Sequence, residues 1–102
     1  MGLGLVYEIV FASAVEGHLK KLTARQRKIV YEGIKTHLTQ QPTVETRNRK
    51  PMRQNPLAPW ELRLGDLRVY YRVTEDPKIV EIAAVGVKQR AEIRIAGERA
   101  DI

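Results

Sequence analysis

The stretch WELRLGDLRVYYRV, from Trp60 to Val73, alternates apolar and polar residues on both sides of a central Gly-Asp pair. A period of two is typical of a β-strand with one buried face, and Gly-Asp between two such runs is typical of a tight hairpin turn. The sequence therefore predicts an antiparallel hairpin in which Leu64 pairs with Leu67, and Arg63 pairs with Arg68.

This register divides the side chains of the hairpin between two faces. The core face receives Trp60, Leu62, Leu64, Leu67, Val69, Tyr71 and Val73, and the other face receives Glu61, Arg63, Arg68, Tyr70 and Arg72. Two arginines directly opposite each other repel, at a cost on the order of tenths of a kcal/mol. Two interpretations of that pair stay open. A diagonal salt bridge from Glu61 or Glu81 compensates the charges, or the two guanidinium groups hold an anion such as phosphate.

The residues before the hairpin predict one strand and two helices. Leu5–Phe11 is rich in β-branched and aromatic residues and indicates a largely buried strand. Each helix begins with a capping-box pattern, SAVE at Ser13–Glu16 and TARQ at Thr23–Gln26, and carries apolar residues at helical spacing. The second helix ends before Pro42, so the two form an αα-hairpin that must cover an apolar surface.

The rest of the chain predicts further strands. Pro42–Pro59 is rich in proline and indicates an irregular, basic connection, whereas Leu67–Thr74 and Ile79–Gly86 continue the sheet. Residues 88–97 fit either a helix ended by Gly97 or a strand. The predicted fold class is α+β, in the order β-α-α-β-β-β. An antiparallel sheet of about four strands has the αα-hairpin on one face and an open second face.

Composition limits the classes of function. A chain of 102 residues is predicted to form one domain, and its net charge of +6 favours a polyanion or an acidic protein as partner, or serves solubility alone. There is no cysteine, which excludes disulfides, thiol nucleophiles and cysteine-based zinc sites. The sequence has neither an apolar run of membrane-spanning length nor a secretory signal pattern, so we expect a cytoplasmic protein without a membrane partner.

The order of these elements, with WELRLGDLRVYYRV and with AVGVKQR at Ala84–Arg90, resembles the RelE/ParE superfamily of toxins over nearly the whole chain. The resemblance implies that residues 1–102 form a single toxin domain, which an acidic antitoxin neutralises in a hetero-oligomer. In that superfamily, RelE-type toxins cut mRNA in the ribosomal A site, and ParE-type toxins inhibit DNA gyrase and usually end the last strand with His-x-Arg. Gly86 and Lys88 stand where RelE-type toxins have a Gly-Lys pair, with Val87 inserted or substituted between them, which favours the RelE side.

The resemblance also implies catalytic residues for an endoribonuclease that uses 2′-OH attack on the scissile phosphate. Arg68 matches the arginine that contacts this phosphate, Arg63 falls where a strand lysine is common, and Lys88 is the basic residue after the last strand. Glu61 replaces a second strand lysine, and it fits either a general base or a salt-bridge partner. Lys50 and Tyr70 are further candidates for proton transfer, whereas arginine is not, because its pKa exceeds about 12.

A wider set of basic and aromatic residues is predicted to bind RNA: Arg47, Arg49, Lys50, Arg53, Tyr70, Arg72, Arg90 and Arg94. Within this set Tyr70 fits either a base-stacking residue or a plain surface tyrosine, and Arg94 replaces a tyrosine often found in the C-terminal segment of the superfamily. We interpret His18 and His37 as partly buried structural residues. No metal or cofactor is predicted.

Three functions remain open at this point. The first is ribosome-dependent cleavage of mRNA, with the ribosome and mRNA as partners. The second is inhibition of gyrase by binding, and the third is RNA binding without catalysis. An acidic antitoxin is the expected protein partner in all three.

Overall fold

A computed structural model describes residues 6–102, so Leu5, at the start of the first predicted strand, lies outside the described residues. The elements in chain order are β1 (Glu8–Phe11), α1 (Val15–Lys20), α2 (Ala24–Leu38), β2 (Arg49–Pro51), β3 (Trp60–Leu64), β4 (Leu67–Glu75), β5 (Lys78–Gln89), β6 (Glu92–Ile95) and β7 (Glu98–Ala100). The α+β class is confirmed, but the described part of the chain forms a sheet of seven strands rather than about four. Within it neither helix is long and apolar enough to cross a membrane.

The sheet has the order β2-β3-β4-β5-β6-β7, and each of these strands is antiparallel to its neighbours. Strand β5 has 12 residues and pairs with β4 along one edge. On its other edge β5 pairs with two strands in succession, with β1 in parallel at Ile79–Ile82 and then with β6 at Val87–Gln89. The length of β5 therefore joins the N-terminal strand and the C-terminal hairpin into one sheet.

The central hairpin has the predicted register. Arg63 pairs with Arg68 and Leu64 with Leu67, and Gly65 has a φ of 62° at the first position of the turn, where type II′ hairpins favour glycine. The apolar face of the hairpin packs against both helices in the main core. The buried residues of this core are Tyr7, Val15, Leu19, Leu22, Val30, Ile34, Leu38, Leu62, Leu67, Val69, Tyr71, Val80, Ile82 and Val85.

The two helices pack on one face of the sheet, as predicted, but only one predicted capping box is present. Thr23 accepts a hydrogen bond from the Gln26 backbone N–H, and the Gln26 side chain accepts one from the Thr23 backbone N–H. The prediction for α1 is wrong, because its N-cap is Ala14 and no side chain caps it. Ser13 lies one residue before the position from which a hydroxyl could cap the helix.

Two further predictions about the elements are wrong, and an alternative that the sequence left open is decided. Strand β1 is not largely buried, since it lies at an edge of the sheet and Val10 and Phe11 are exposed. The connection Pro42–Pro59 contains the short strand β2. Residues 88–97 form no helix: they complete β5 and form β6, and Gly97 has a φ of 84° in the β6–β7 turn instead of capping a helix.

The second face of the sheet is not open over its whole area. Ala58, Tyr70 and Ala84 form a small second core there, covered by loop residues and by β6. The partly buried residues that cover it are Met52, Leu57, Ala83, Ile93 and Ile95. The part of this face that the second core leaves uncovered includes the end of the sheet near the Gly65–Asp66 turn, where Arg63 and Lys88 are exposed.

Candidate nucleic-acid interface

Three basic side chains lie at this end of the second face: Arg63, Arg68 and Lys88, here called the cationic row. Pairing places Arg63, Arg68 and Gly86 side by side on β3, β4 and β5, and the Lys88 N–H donates to the Asp66 carbonyl oxygen at 2.7 Å. Neighbouring strands lie about 4.8 Å apart, so the cationic row occupies a small area. The three basic residues that the sequence singled out are therefore close neighbours in the fold.

The partner that compensates the arginine pair is Glu61. The Arg63 Nε donates to Glu61 Oε1 at 2.7 Å, and the Arg68 Nε lies 4.0 Å from Glu61 Oε2. Glu81 instead pairs with Arg72 at 3.2 Å. The salt-bridge interpretation is confirmed for Glu61, whose carboxylate lies where the other interpretation placed a phosphate.

The members of the cationic row differ in accessibility. Arg68 is only 8% exposed, and its Nη1 donates to the carbonyl oxygens of Gly65 at 2.6 Å and of Leu67 at 2.9 Å. Arg68 therefore holds the hairpin turn. The Arg63 side chain is 49% exposed and Lys88 is exposed, so these two are the cations that an incoming anion reaches first.

Tyr70 does not lie at the surface. Its side chain is 0% exposed in the second core, so in this structure no RNA base can stack on its ring. Within residues 6–102 its hydroxyl makes no hydrogen bond of ordinary geometry, although the Glu61 carboxylate lies near it. Burial, and then the negative charge of Glu61, raise the pKa of the Tyr70 phenol well above its ordinary value. The base-stacking prediction is therefore wrong.

The buried hydroxyl of Tyr70 leads to a stability prediction. An unpaired buried hydroxyl costs about 1–3 kcal/mol, so Tyr70→Phe should raise the free energy of unfolding by about 1 kcal/mol in urea titrations. Tyr71 is the matched control, since it is also 0% exposed but donates to the Pro42 carbonyl oxygen at 2.7 Å. Tyr71→Phe should lower the same free energy by about 1 kcal/mol. A loss of stability in Tyr70→Phe would mean that its hydroxyl bonds to Glu61 in solution.

Arg49 and Lys50, in the basic connection, are engaged in contacts within the chain. Arg49 is nearly buried on the helix side, where its Nε and Nη1 donate to the carbonyl oxygens of Val44 and His37, each at 2.8 Å. The prediction that Arg49 faces RNA is wrong, because these bonds tie the connection to the end of α2. Lys50 pairs across the strands with Glu61, but its Nζ lies 3.5 Å from Glu45.

Arg47 and Arg53 are exposed, and Arg53 lies close to the site. With Glu61 and Arg63, Arg53 lines a cavity of about 370 Å³, and Ile102 contributes an apolar wall. This cavity extends from Glu61 and Arg63 toward the connection, and RNA binding by Arg53 stays a prediction.

The remaining predicted residues lie away from the cationic row. Arg94 pairs across the strands with Val87 and lines a cavity on the helix side with His18, so it faces away from the site, and it forms an ion pair with Glu92 at 3.0 Å. Arg90 is exposed in the β5–β6 turn, where its φ is 60°. Arg72 shares the second face but lies farther along β4, where its Nη2 donates to the Leu57 carbonyl oxygen.

Both histidines are partly buried and structural, as predicted. The His18 Nδ1 accepts a hydrogen bond from the Val85 N–H at 3.3 Å, and burial lowers the pKa of His18. Burial and the charge of Arg49 lower the pKa of His37. Neither imidazole reaches the cationic row. In residues 6–102 no three acidic or histidine side chains come close enough to hold a metal ion.

Two residues at the site were not predicted. Ile93 and Ile95, on β6, pack over the second face beside Gly86 and limit access to the site from that side. Their alternation in EIRI was the only signal, and it becomes informative only when residues 92–95 are known to form a strand.

Comparison with solved structures identifies chains with the same fold. A chain from the toxin–antitoxin complex RelBE2 of Mycobacterium tuberculosis has a TM-score of 0.70 and 27% sequence identity, covering 86% of this chain and 95% of that one. A chain from the archaeal RelE–RelB complex of Pyrococcus horikoshii has a TM-score of 0.64 and 22% identity, covering 84% and 99%. No protein-family model and no curated protein matches the sequence. The structural matches confirm the resemblance to RelE-like chains that the sequence indicated.

Proposed function

We propose that this protein is the toxin of a type II toxin–antitoxin system and that it inhibits translation by cleaving mRNA on the ribosome. The likeness to a chain of the RelBE2 complex, at 27% identity over 86% of this chain, supports the toxin role. The observation that carries the proposal of RNA cleavage is the cationic row. Its three basic residues lie on neighbouring strands at the end of the second face near the Gly65–Asp66 turn, where the resemblance implies phosphate-binding groups.

In the proposed reaction the chain supplies the base and the acid, and the RNA supplies the attacking and leaving oxygens. The 2′-oxygen attacks the adjacent phosphorus while Glu61 accepts the 2′-OH proton, and the bond between phosphorus and the 5′-oxygen breaks as Lys88 protonates that oxygen. The products are a 2′,3′-cyclic phosphate and a 5′-OH. Arg63 donates to the phosphate oxygens as their charge grows, and Arg68 holds the turn that carries the row.

The charge of the chain supports an acidic antitoxin as the protein partner. The net charge is +6. Arg47, Arg53 and Arg90 are exposed, whereas hydrogen bonds to backbone carbonyl oxygens hold the side chains of Arg49 and Arg68 in place. An acidic segment of the antitoxin that covers these arginines and the cationic row would prevent RNA from binding. The toxin–antitoxin complex in the cytoplasm would then be inactive.

The test is inducible expression in a bacterial host, followed by growth, incorporation of labelled amino acids and primer-extension mapping of mRNA ends. We expect growth and protein synthesis to stop within minutes, with new 5′-OH ends inside translated regions. The same ends should form when purified protein acts on mRNA bound to ribosomes. Arrest of growth without new mRNA ends would contradict the proposed reaction.

A binding toxin without catalysis is the second candidate, and one observation favours it. Glu61 forms an ion pair with Arg63 and lies near Arg68, and Tyr70 is buried. Of the residues predicted to transfer protons at the cationic row, Lys88 alone is exposed. A supercoiling assay with purified DNA gyrase separates the candidates. Inhibition of gyrase without RNA cleavage would favour a ParE-type activity, and salt-dependent RNA binding without growth arrest would favour an RNA-binding module.

A further inference from the structure

We propose that Glu61 is an internal anion that occupies the phosphate position between Arg63 and Arg68, so that an RNA phosphate must displace it in order to bind. This inference rests on the proposed function, because it names the residue that sets the affinity of the same site for phosphate. It is separate from proton transfer, since it concerns binding of the anion before any bond breaks.

The geometry of the carboxylate is that of an anion shared by two cations. One oxygen accepts from the Arg63 Nε at 2.7 Å, and the other lies 4.0 Å from the Arg68 Nε. A phosphodiester offers two non-bridging oxygens with the same charge and a similar spread. The two anions therefore compete for the same donors.

The burial of the three side chains shows how the exchange can occur without disrupting the sheet. Arg68 keeps its bonds to the carbonyl oxygens of Gly65 and Leu67 when Glu61 leaves, so its guanidinium remains in place. The Arg63 side chain is 49% exposed whereas that of Glu61 is only 11% exposed, so water and an incoming anion reach this ion pair from the Arg63 side. The Glu61–Arg63 contact is therefore the one that yields to an incoming phosphate.

The displaced carboxylate also has a second cation within reach. Lys50 is the direct cross-strand partner of Glu61 on β2, and its Nζ lies 3.5 Å from a carboxylate oxygen of the exposed Glu45. The cavity of about 370 Å³ that Glu61 lines with Arg53 and Arg63 gives the phosphate an approach to the row. Movement of Glu61 toward Lys50 would open the arginine pair on that side.

The test compares binding of a short single-stranded RNA, and of inorganic phosphate, to the whole protein and its variants. Glu61→Gln keeps the size of the side chain and removes its charge. We expect this variant to bind the RNA about fivefold more tightly, the ratio expected for loss of a competing ion pair of surface strength. The slope of log K against log salt should become steeper by about 0.7 for each additional phosphate that the variant neutralises.

Glu81→Gln is the matched control, because it removes the same charge from an ion pair on the same face, with Arg72, away from the cationic row. Its affinity should stay within about twofold of that of the original protein, since exposed charges beyond about 10 Å are largely screened. Glu61→Asp provides a second variant if Glu61→Gln does not fold. This variant keeps the negative charge but moves it away from Arg63 by the length of one methylene group. Its affinity for the RNA should lie between that of the original protein and that of Glu61→Gln.

In the original protein, inorganic phosphate should shift the NMR signal of the Arg63 Nε–H more than that of Arg72. Equal or weaker RNA binding by Glu61→Gln, together with weaker binding by Arg63→Ala, would overturn the inference and leave the phosphate site of the proposed function intact. No change in either variant would overturn both. Tighter binding by Glu61→Gln without mRNA cleavage by the original protein would support the inference and contradict only the proposed reaction.

Discussion

Arg63→Ala should lower the rate of mRNA cleavage on the ribosome by about a hundredfold or more, the usual effect of removing one donor to a developing negative charge. Arg63 is the most suitable member of the cationic row for this test, because its side chain is 49% exposed and its ion pair is with Glu61 alone. Its removal should lower the free energy of unfolding by about 1–3 kcal/mol, because the Glu61 side chain is only 11% exposed and keeps Arg68, at 4.0 Å, as its remaining ion pair, so cleavage is measured where the variant is folded. Arg68→Ala is less informative, because that side chain also holds the hairpin turn.

The control for Arg63→Ala is Lys28→Ala, which removes one positive charge from the exposed surface of α2, on the other face of the sheet. Its cleavage rate should stay within about twofold of that of the original protein, because we expect Arg63 to act by direct contact with the RNA and not through the net charge of the protein. Single-turnover cleavage on programmed ribosomes measures both variants. A rate for Arg63→Ala close to that of the original protein would exclude Arg63 from the reaction, even if toxicity fell for another reason.

The central hairpin was predictable because its register depends on local pattern alone. Alternation around Gly65-Asp66 determines which side chains share a face, and one wrong step in register would have moved every apolar residue to the polar side. The same pattern predicted the pairing of Arg63 with Arg68, and it identified Glu61 as a candidate counter-charge without choosing between salt bridge and phosphate. That choice depends on side-chain distances that the sequence does not contain.

The failed predictions concern residues whose environment is set by distant parts of the chain. Alternation along the hairpin puts Tyr70 on the same face as the polar residues, yet it is buried because β6 and residues 52–58 fold over it. Arg49 lies in a basic connection, yet the carbonyl oxygens of Val44 and His37 bind it on the helix side. A positive φ at Gly97 suits a helix end and a hairpin turn equally, so that residue could not decide between them.

Gly86→Ala should lower the free energy of unfolding by about 1–3 kcal/mol, because a methyl group at this position overpacks a close approach between strands. A Cβ on Gly86 would lie 2.6 Å from the Arg94 carbonyl oxygen and 2.8 Å from the Ile95 Cγ1. The first of these atoms belongs to the backbone of β6 and cannot turn aside as a side-chain end does. Strand β6 must therefore move away from β5, and the cover that Ile95 gives to the second core is lost.

Urea titration measures the loss of stability, and amide hydrogen exchange locates it. Protection should fall most in β6 and β7 and in the part of β4 near Tyr70, which β6 covers, while β3 keeps its protection because it packs on the helices. Gly17→Ala is the control: a Cβ there meets no atom within 4 Å, and alanine in a helix is worth up to about 1 kcal/mol over glycine. Unchanged protection in Gly86→Ala would show that β6 does not depend on this close approach. Loss of protection in β6 would show that this strand, which borders the cationic row, can pair with β5 only when position 86 carries no side chain.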